Sequence, residues 1–397
     1  MPALETARAD RSAKALTLAA YVSFVPIGLM TVFLGPMLPT LSARWSLNYS
    51  QAGSLATVLF TSAMLGVILS GAVVSRFGYR FAIKAGLLCE AFGMAFLLAG
   101  TKSLGVICIA AFGACQGLAI PPANLMVAEA NPQRRSATLN LLNFFWSAGA
   151  VACPFLVAAA VRTNRVPILL AMVSGFALLV ALGIAAMPSH IVEPAVRADD
   201  GTTVKINWKH PALPVIGALF LVYVGTENAF GLWIAFYAKS LGSLTSATAA
   251  ITPSFFYASL MAGRWIAPLM LRATDEIAMA RAGLVLACAG MGGLAFAHDL
   301  PGVAVSGCLA GLGLSSVYPV TIALLSREFG PAGSKIASLM FTLSNLGGAS
   351  FPWLVGFTSN QFASLKVGLS VPLIGGIAMF LLYLRDWKSE ASVVQEA

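Results

Sequence analysis

Glu227 stands inside an otherwise apolar run from Leu213 to Ala238. At about 1.5 Å per residue that run is long enough to cross a hydrocarbon core of about 30 Å, with Glu227 near its middle. A carboxylate there costs roughly 3 kcal/mol on insertion scales, so an acid in this setting points to a solute or ion pathway. On a helix Tyr223, Glu227 and Phe230 share a face, flanked by Asn228, Trp233 and Tyr237, which is the pattern of a polar and aromatic cavity wall. The alternative is a glutamate that only hydrogen-bonds a neighbouring helix. Amides supply further chemistry. Ser136, Asn140, Asn143 and Ser147 fall within one arc beside Trp146, Gln116 and Asn124 precede them, and Asn345 with Trp353 offers the same pairing later in the chain. Phe255, Tyr257 and Tyr318 complete a second wall. Amides hold pairs of hydroxyls and aromatic faces cover C–H surface, so the set suits a small neutral hydroxylated solute. Each amide has a plainer reading as interhelical glue, and each Trp or Tyr as an interface anchor. No fixed cation is expected at the centre, which speaks against phosphate or dicarboxylate solutes.

Two further acids need placing. Glu90 lies midway along an apolar stretch and is either an ion-coupling group, with Glu227, or an acid bonded between helices. Glu129, followed by Asn131, Pro132, Arg134 and Arg135, fits a cytoplasmic gate or a loop ion pair, and Arg76, Arg80 and Arg264 fit the gate; Arg264 is expected to snorkel towards that side or to pair with a gate acid rather than to touch the solute. All six cysteines fall within apolar stretches, where they act as small hydrophobes. His190, His210 and His298 lie in loops or at the ends of such stretches. No metal-ligand spacing, nucleophile triad or phosphate loop is found, so neither an enzyme nor a bound metal or cofactor is expected.

The elements that carry these residues follow from composition. Of 397 residues 58% are hydrophobic and 10% charged, with mean hydropathy +0.85, which excludes a soluble protein of this length. A net charge of +9 could suggest nucleic acid, but the basic residues are scattered singly along loops, and no nucleic-acid partner is expected. The alternating pattern of a membrane β-barrel is missing. Apolar stretches separated by polar breaks predict twelve transmembrane helices at about 16–40, 50–75, 82–100, 104–129, 136–161, 166–187, 212–238, 246–271, 278–297, 300–325, 335–359 and 365–384. With the N-terminus in the cytoplasm, most of the 24 Lys and Arg residues fall on that side, so both termini are expected there, in a bacterial-type inner membrane. The first residues carry both signs of charge before a long apolar stretch, so no cleaved leader is expected. A monomer surrounded by lipid is expected.

The longest polar break separates 1–187, a six-helix bundle, from 211–397, a second one, through a cytoplasmic linker at 188–210. The halves echo each other. Ser147, Gly149 and Pro154 match Asn345, Gly347 and Pro352, 198 residues on, and Gly117 and Leu118 match Gly313 and Leu314, 196 on. The fold class is therefore an all-α membrane protein of two six-helix bundles, the architecture of transporters with a site near the midplane.

Gly71, Ser75, Arg76, Gly78 and Arg80, between the second and third stretches, resemble the signature loop of the major facilitator superfamily. Gly71 is expected to let those helices touch, and Ser75 stands where the family carries the aspartate of a cytoplasmic latch. Within that superfamily several segments resemble the fucose-galactose-glucose proton symporter branch: Tyr223, Gly225 and Glu227 in span seven, Asn140 and Asn143 at the start of span five, Gly311 to Pro319 in span ten, and Asn345, Gly347 and Gly348 in span eleven. The resemblance implies a major facilitator fold and sugar–proton symport. The branch handles its proton with an aspartate in span one and a glutamate in span four, whereas the matching stretches here, Phe33 to Pro39 and Leu118 to Asn124, are neutral. Glu227 and Glu90 are left as the intramembrane acids. The chain then reads as a secondary transporter moving a small neutral sugar or polyol by alternating access, coupled to a proton or to sodium, with Glu227 as substrate acceptor or ion-linked switch. For sodium, carbonyls and hydroxyls such as that of Thr226 would have to join Glu227 as ligands. The competing readings are proton-driven efflux of an amphipathic drug or metabolite, and a sensor that moves no solute.

Overall fold

The computed structural model describes residues 2–188, 208–270, 274–329, 333–385 and 387, side chains excepted at 2–11, 135–136, 268, 333–335 and 338. Most of the expected linker and the Ser136 side chain lie outside the described residues. Among the described residues there is no strand, and fourteen α-helices account for the twelve stretches. They are α1 (Pro2–Trp45), α2 (Tyr49–Phe77), α3 (Tyr79–Phe96), α4 (Lys102–Ala130), α5 (Arg135–Arg162), α6 (Val166–Ala185), α7 (Ala212–Ser240), α8 (Ser246–Met270), α9 (Glu276–Leu294), α10 (Leu300–Leu314), α11 (Val317–Phe329), α12 (Gly333–Gln361), α13 (Leu365–Gly368) and α14 (Ser370–Tyr383). Nine described spans are long and apolar enough to cross a membrane.

Two stretches read as single helices are interrupted. The tenth divides into α10 and α11 at Ser315–Ser316, and the twelfth into α13 and α14 at Leu369. A proline explains each break, because its ring excludes the carbonyl four residues earlier and it has no N–H to offer it. Pro319 acts on Ser315 in this way and Pro372 on Gly368. Helix starts are fixed locally. Asn48 and Gln51 exchange side-chain bonds with each other's backbone N–H groups (2.8 and 3.3 Å) before α2. The Asp275 carboxylate accepts from two N–H groups at the start of α9, and Asp299 accepts from Gly302 N at that of α10 (2.9 Å). Gly78, between α2 and α3, has φ +85°, a conformation that explains glycine there. Gly71 has no atom within 4 Å of where a Cβ would sit, so it is not the point at which α2 and α3 meet.

The helices group into two compact units, Met1–Met37 with Val58–Asp200, and Leu38–Thr57 with Gly201–Ala397. In the first unit α3 packs on α4 and α6; in the second α9 packs on α10 and α14, and α7 on α12. The two use the same joints. A Cβ on Gly149 of α5 would strike the Val25 carbonyl oxygen of α1, and one on Gly347 of α12 would strike that of Leu221 on α7. Arg80 of α3 donates to the carbonyls of Ile184 and Met187 at the end of α6 (3.0 and 2.8 Å). Arg281 of α9 donates twice to that of Tyr383 at the end of α14 (3.0 and 2.7 Å). A guanidinium at a helix C-terminus satisfies carbonyls that have no intrahelical partner.

Candidate functional site

In the second unit α7 carries Tyr223 and Glu227 one turn apart, so both side chains lie on one face. From α8, Arg264 extends its guanidinium to them, with Nη2 3.9 Å from Glu227 Oε2 and donating to the Tyr223 hydroxyl at 3.5 Å. Tyr318, two residues past the Ser315–Ser316 break, brings its ring 5.2 Å from that of Tyr223 and 5.6 Å from that of Phe220, centroid to centroid. Tyr223 is buried, whereas the Arg264 side chain is 32% exposed and that of Glu227 14%. One acid, one guanidinium and two phenols thus meet in an apolar bundle, the guanidinium being the most open of the charged groups.

A cation thus stands beside Glu227, where the sequence leads one to expect none. Arg264 lies within α8, in the eighth apolar stretch, and in an apolar setting its charge is stabilised by an opposite one. Glu227 on the facing helix provides it. The signal in the sequence was an arginine inside an apolar stretch, the same signal that singled out Glu227.

The amides share one geometry. Asn124, Asn143, Asn228 and Asn345 each donate from Nδ2 to the carbonyl four residues back on their own helix, at 2.8–2.9 Å. Each keeps its side-chain oxygen and a second N–H for another partner. Asn140 and Asn143 are exposed on α5, and Trp146 is half-buried one turn further on. Trp353 is at the margin of exposure and stacks on Phe357 at 5.2 Å. Tyr257 packs its hydroxyl on Gly231 of α7. Trp233 and Tyr237, expected to flank the wall, are buried and donate to the carbonyls of Pro352 (2.9 Å) and Ala297 (3.2 Å), so they brace the bundle. Thr226 is also buried, its hydroxyl packed on Gly375 of α14.

In the first unit Glu90 has 0% exposure, its Oε2 accepting from the Cys115 thiol of α4 at 3.7 Å and its Oε1 without a hydrogen-bond partner among the described residues. Gln116 is buried next to Cys115 in sequence, with Nε2 unbonded among the described residues. Glu129 accepts from the Tyr79 hydroxyl at 2.9 Å, and the Arg76 guanidinium lies 5.4 Å from the centre of the Phe77 ring. Among the described residues no group of three or more His, Cys, Asp or Glu could hold a metal ion.

A model of the Major Facilitator Superfamily matches residues 20–352. The chain belongs to the Major Facilitator Superfamily. Relatives across nearly the whole length include the sodium-dependent glucose transporter 1A of Mus musculus, 20% identical over 91% of this chain and 94% of that protein. The glucose/galactose transporter of Brucella abortus biovar 1 is 23% identical over 87% of this chain and 88% of its own. A solved D-xylose-proton symporter shares the fold, with a TM-score of 0.76 and 18% identity, covering 93% of this chain and 96% of that one. This superfamily member is a multi-pass membrane transporter and not an enzyme.

Proposed function

We propose that the chain is a secondary active transporter that carries a small sugar or polyol by alternating access, with a proton as the coupling ion and Glu227 as the group that binds it. The observation that carries this reading is the Glu227–Arg264 contact at 3.9 Å beside Tyr223 and Tyr318. An acceptor, a donor fork and aromatic faces are what a hydroxylated ring requires. The names of the glucose, galactose and xylose transporters above support the solute class.

The neighbourhood of Glu227 favours a proton over sodium. A sodium ion would sit against a fixed guanidinium and would need several oxygens around it. A proton neutralises Glu227 without adding a second cation to the site, and releases Arg264 from its partner. Occupancy of that carboxylate then biases the two faces of the transport cycle. In this reading the chain works as a monomer in a cytoplasmic membrane with both termini inside, 1–187 and 211–397 are its two bundles, and Asn345 and Asn228 offer their amides to the solute. Arg76 and Glu129 serve the cytoplasmic gate.

Uptake of labelled glucose, galactose and xylose into proteoliposomes tests the proposal, under an imposed proton or sodium gradient, for the wild type beside Glu227→Gln. Proton-driven accumulation in the wild type that becomes mere equilibration in the variant is expected. Sodium-driven accumulation would overturn the choice of ion. Expulsion of a lipophilic cation with no sugar entry would replace the reading by efflux.

A further inference from the structure

We infer that the same site also takes a carboxylated sugar, a polyhydroxy monocarboxylate, whose carboxylate replaces Glu227 at the Arg264 guanidinium while Glu227 carries a proton. The inference rests on the sugar reading above and adds a solute class to it.

The geometry of Arg264 carries the argument. A guanidinium offers five N–H donors in a planar fork that matches a carboxylate through two parallel bonds, at about 2.7–2.9 Å in a well-made pair. Here both contacts are long and both fall on Nη2, 3.9 Å to Glu227 and 3.5 Å to Tyr223. The Nη1 and Nε donors make no bond to the described residues. The Arg264 side chain is also more than twice as exposed as that of Glu227 (32% against 14%). A cation that makes one loose ion contact and keeps an open, unbonded edge has the form of a receptor for a planar anion.

Charge then dictates the coupling. Among the described residues the charged and titratable groups about Glu227 are Arg264 on α8, Tyr318 on α11 and Tyr223 on its own helix. On the other helices packed against α7, the side chain of Tyr383 on α14 is bonded to Thr321 (2.8 Å) and the Val317 carbonyl (3.2 Å), Cys308 on α10 bonds the Phe255 carbonyl (3.7 Å), and the described side chains of α12 carry no charge. One positive charge can neutralise one carboxylate. With Glu227 ionised, a bound sugar acid would leave a net negative charge in a poorly solvated bundle; with Glu227 protonated, the site is neutral. The proton comes from solution to Glu227 as the solute carboxylate arrives at Arg264. Anion and proton therefore cross together without moving net charge, whereas a neutral sugar with a proton moves one positive charge.

The test uses the full chain in proteoliposomes with labelled gluconate, glucuronate and galactose. Gluconate or glucuronate should enter under an inward proton gradient at a rate unchanged by a potassium diffusion potential, while galactose uptake responds to that potential. Arg264→Lys keeps the charge and loses the fork, so it should reduce uptake of the acids by more than about tenfold and that of galactose by less. Glu227→Gln should bind gluconate with an affinity that no longer varies with pH. Monodispersity and thermal midpoint confirm that each variant is folded. If galactose enters while neither acid enters or competes with it, the inference fails and the sugar reading stands. If no sugar enters either, both fail. Acid uptake that moves net charge, or that Arg264→Lys leaves intact, also overturns the inference.

Discussion

The first unit buries an acid away from any described cation, and the second sets an acid against one. Glu90 is closed off between α3 and α4 with a thiol for company, while Glu227 meets Arg264, with both side chains partly open. The scaffolds around them nevertheless repeat, with the same glycine joints at Gly149 and Gly347 and the same arginine ties at Arg80 and Arg281. Counting back 196 residues from Glu227 and Arg264 gives Thr31 and Ile68, both uncharged. The repeat therefore keeps the joints and not the charges. What holds a bundle together is common to both units, and the pairing of an acid with a guanidinium is built into the second.

The comparison can be broken or sharpened by substitution, the joints giving the largest effect. Gly149→Val and Gly347→Val place side chains against backbone carbonyls of the facing helix. Each should cost about 3 kcal/mol or more and abolish monodisperse protein on size-exclusion chromatography. Survival of one variant but not the other would show that the joints are not equivalent. Next comes the charge pair: Arg264→Gln leaves Glu227 without its partner and should lower transport by about a hundredfold and the thermal midpoint by several degrees. The double variant Arg264→Gln with Glu227→Gln should regain most of the lost midpoint and none of the transport. A smaller effect is expected at the ties, where Arg80→Gln and Arg281→Gln should each cost about 1–3 kcal/mol in thermal unfolding, to a similar extent in the two units. The smallest is at Glu90→Gln, which keeps the shape and a hydrogen-bonding group. Proton-driven uptake should change less than about twofold, and a collapse of coupling would move the ion site to the first unit.

Much of the fold was legible because twelve apolar stretches and a repeat leave few alternatives, and the stretches correspond to observed helices. The interruptions at Ser315–Ser316 and Leu369 were hidden because hydropathy does not register a break when both sides stay apolar; Pro319 and Pro372 were the available signal. Within the site, Glu227, Tyr223 and Tyr318 were legible from chemical type and spacing. The contact between Arg264 and Glu227 was not legible, because a long flexible side chain does not disclose its direction from its position. The closeness of α7 and α8 at that level is a tertiary fact. Trp233 and Tyr237 show the converse: their spacing suggested a wall, and only packing shows that each is anchored to a carbonyl of another segment.

The four asparagines tied to their own helices carry a thermodynamic consequence. An amide already fixed by a bond of 2.8–2.9 Å to the turn below it has little rotameric freedom left to lose when a solute arrives. The entropy of orienting it was surrendered when the chain folded. On the proposal above, a hydroxyl that such an amide receives would be met by a preset oxygen and N–H, so a weak, fast-releasing solute could still be read by its stereochemistry.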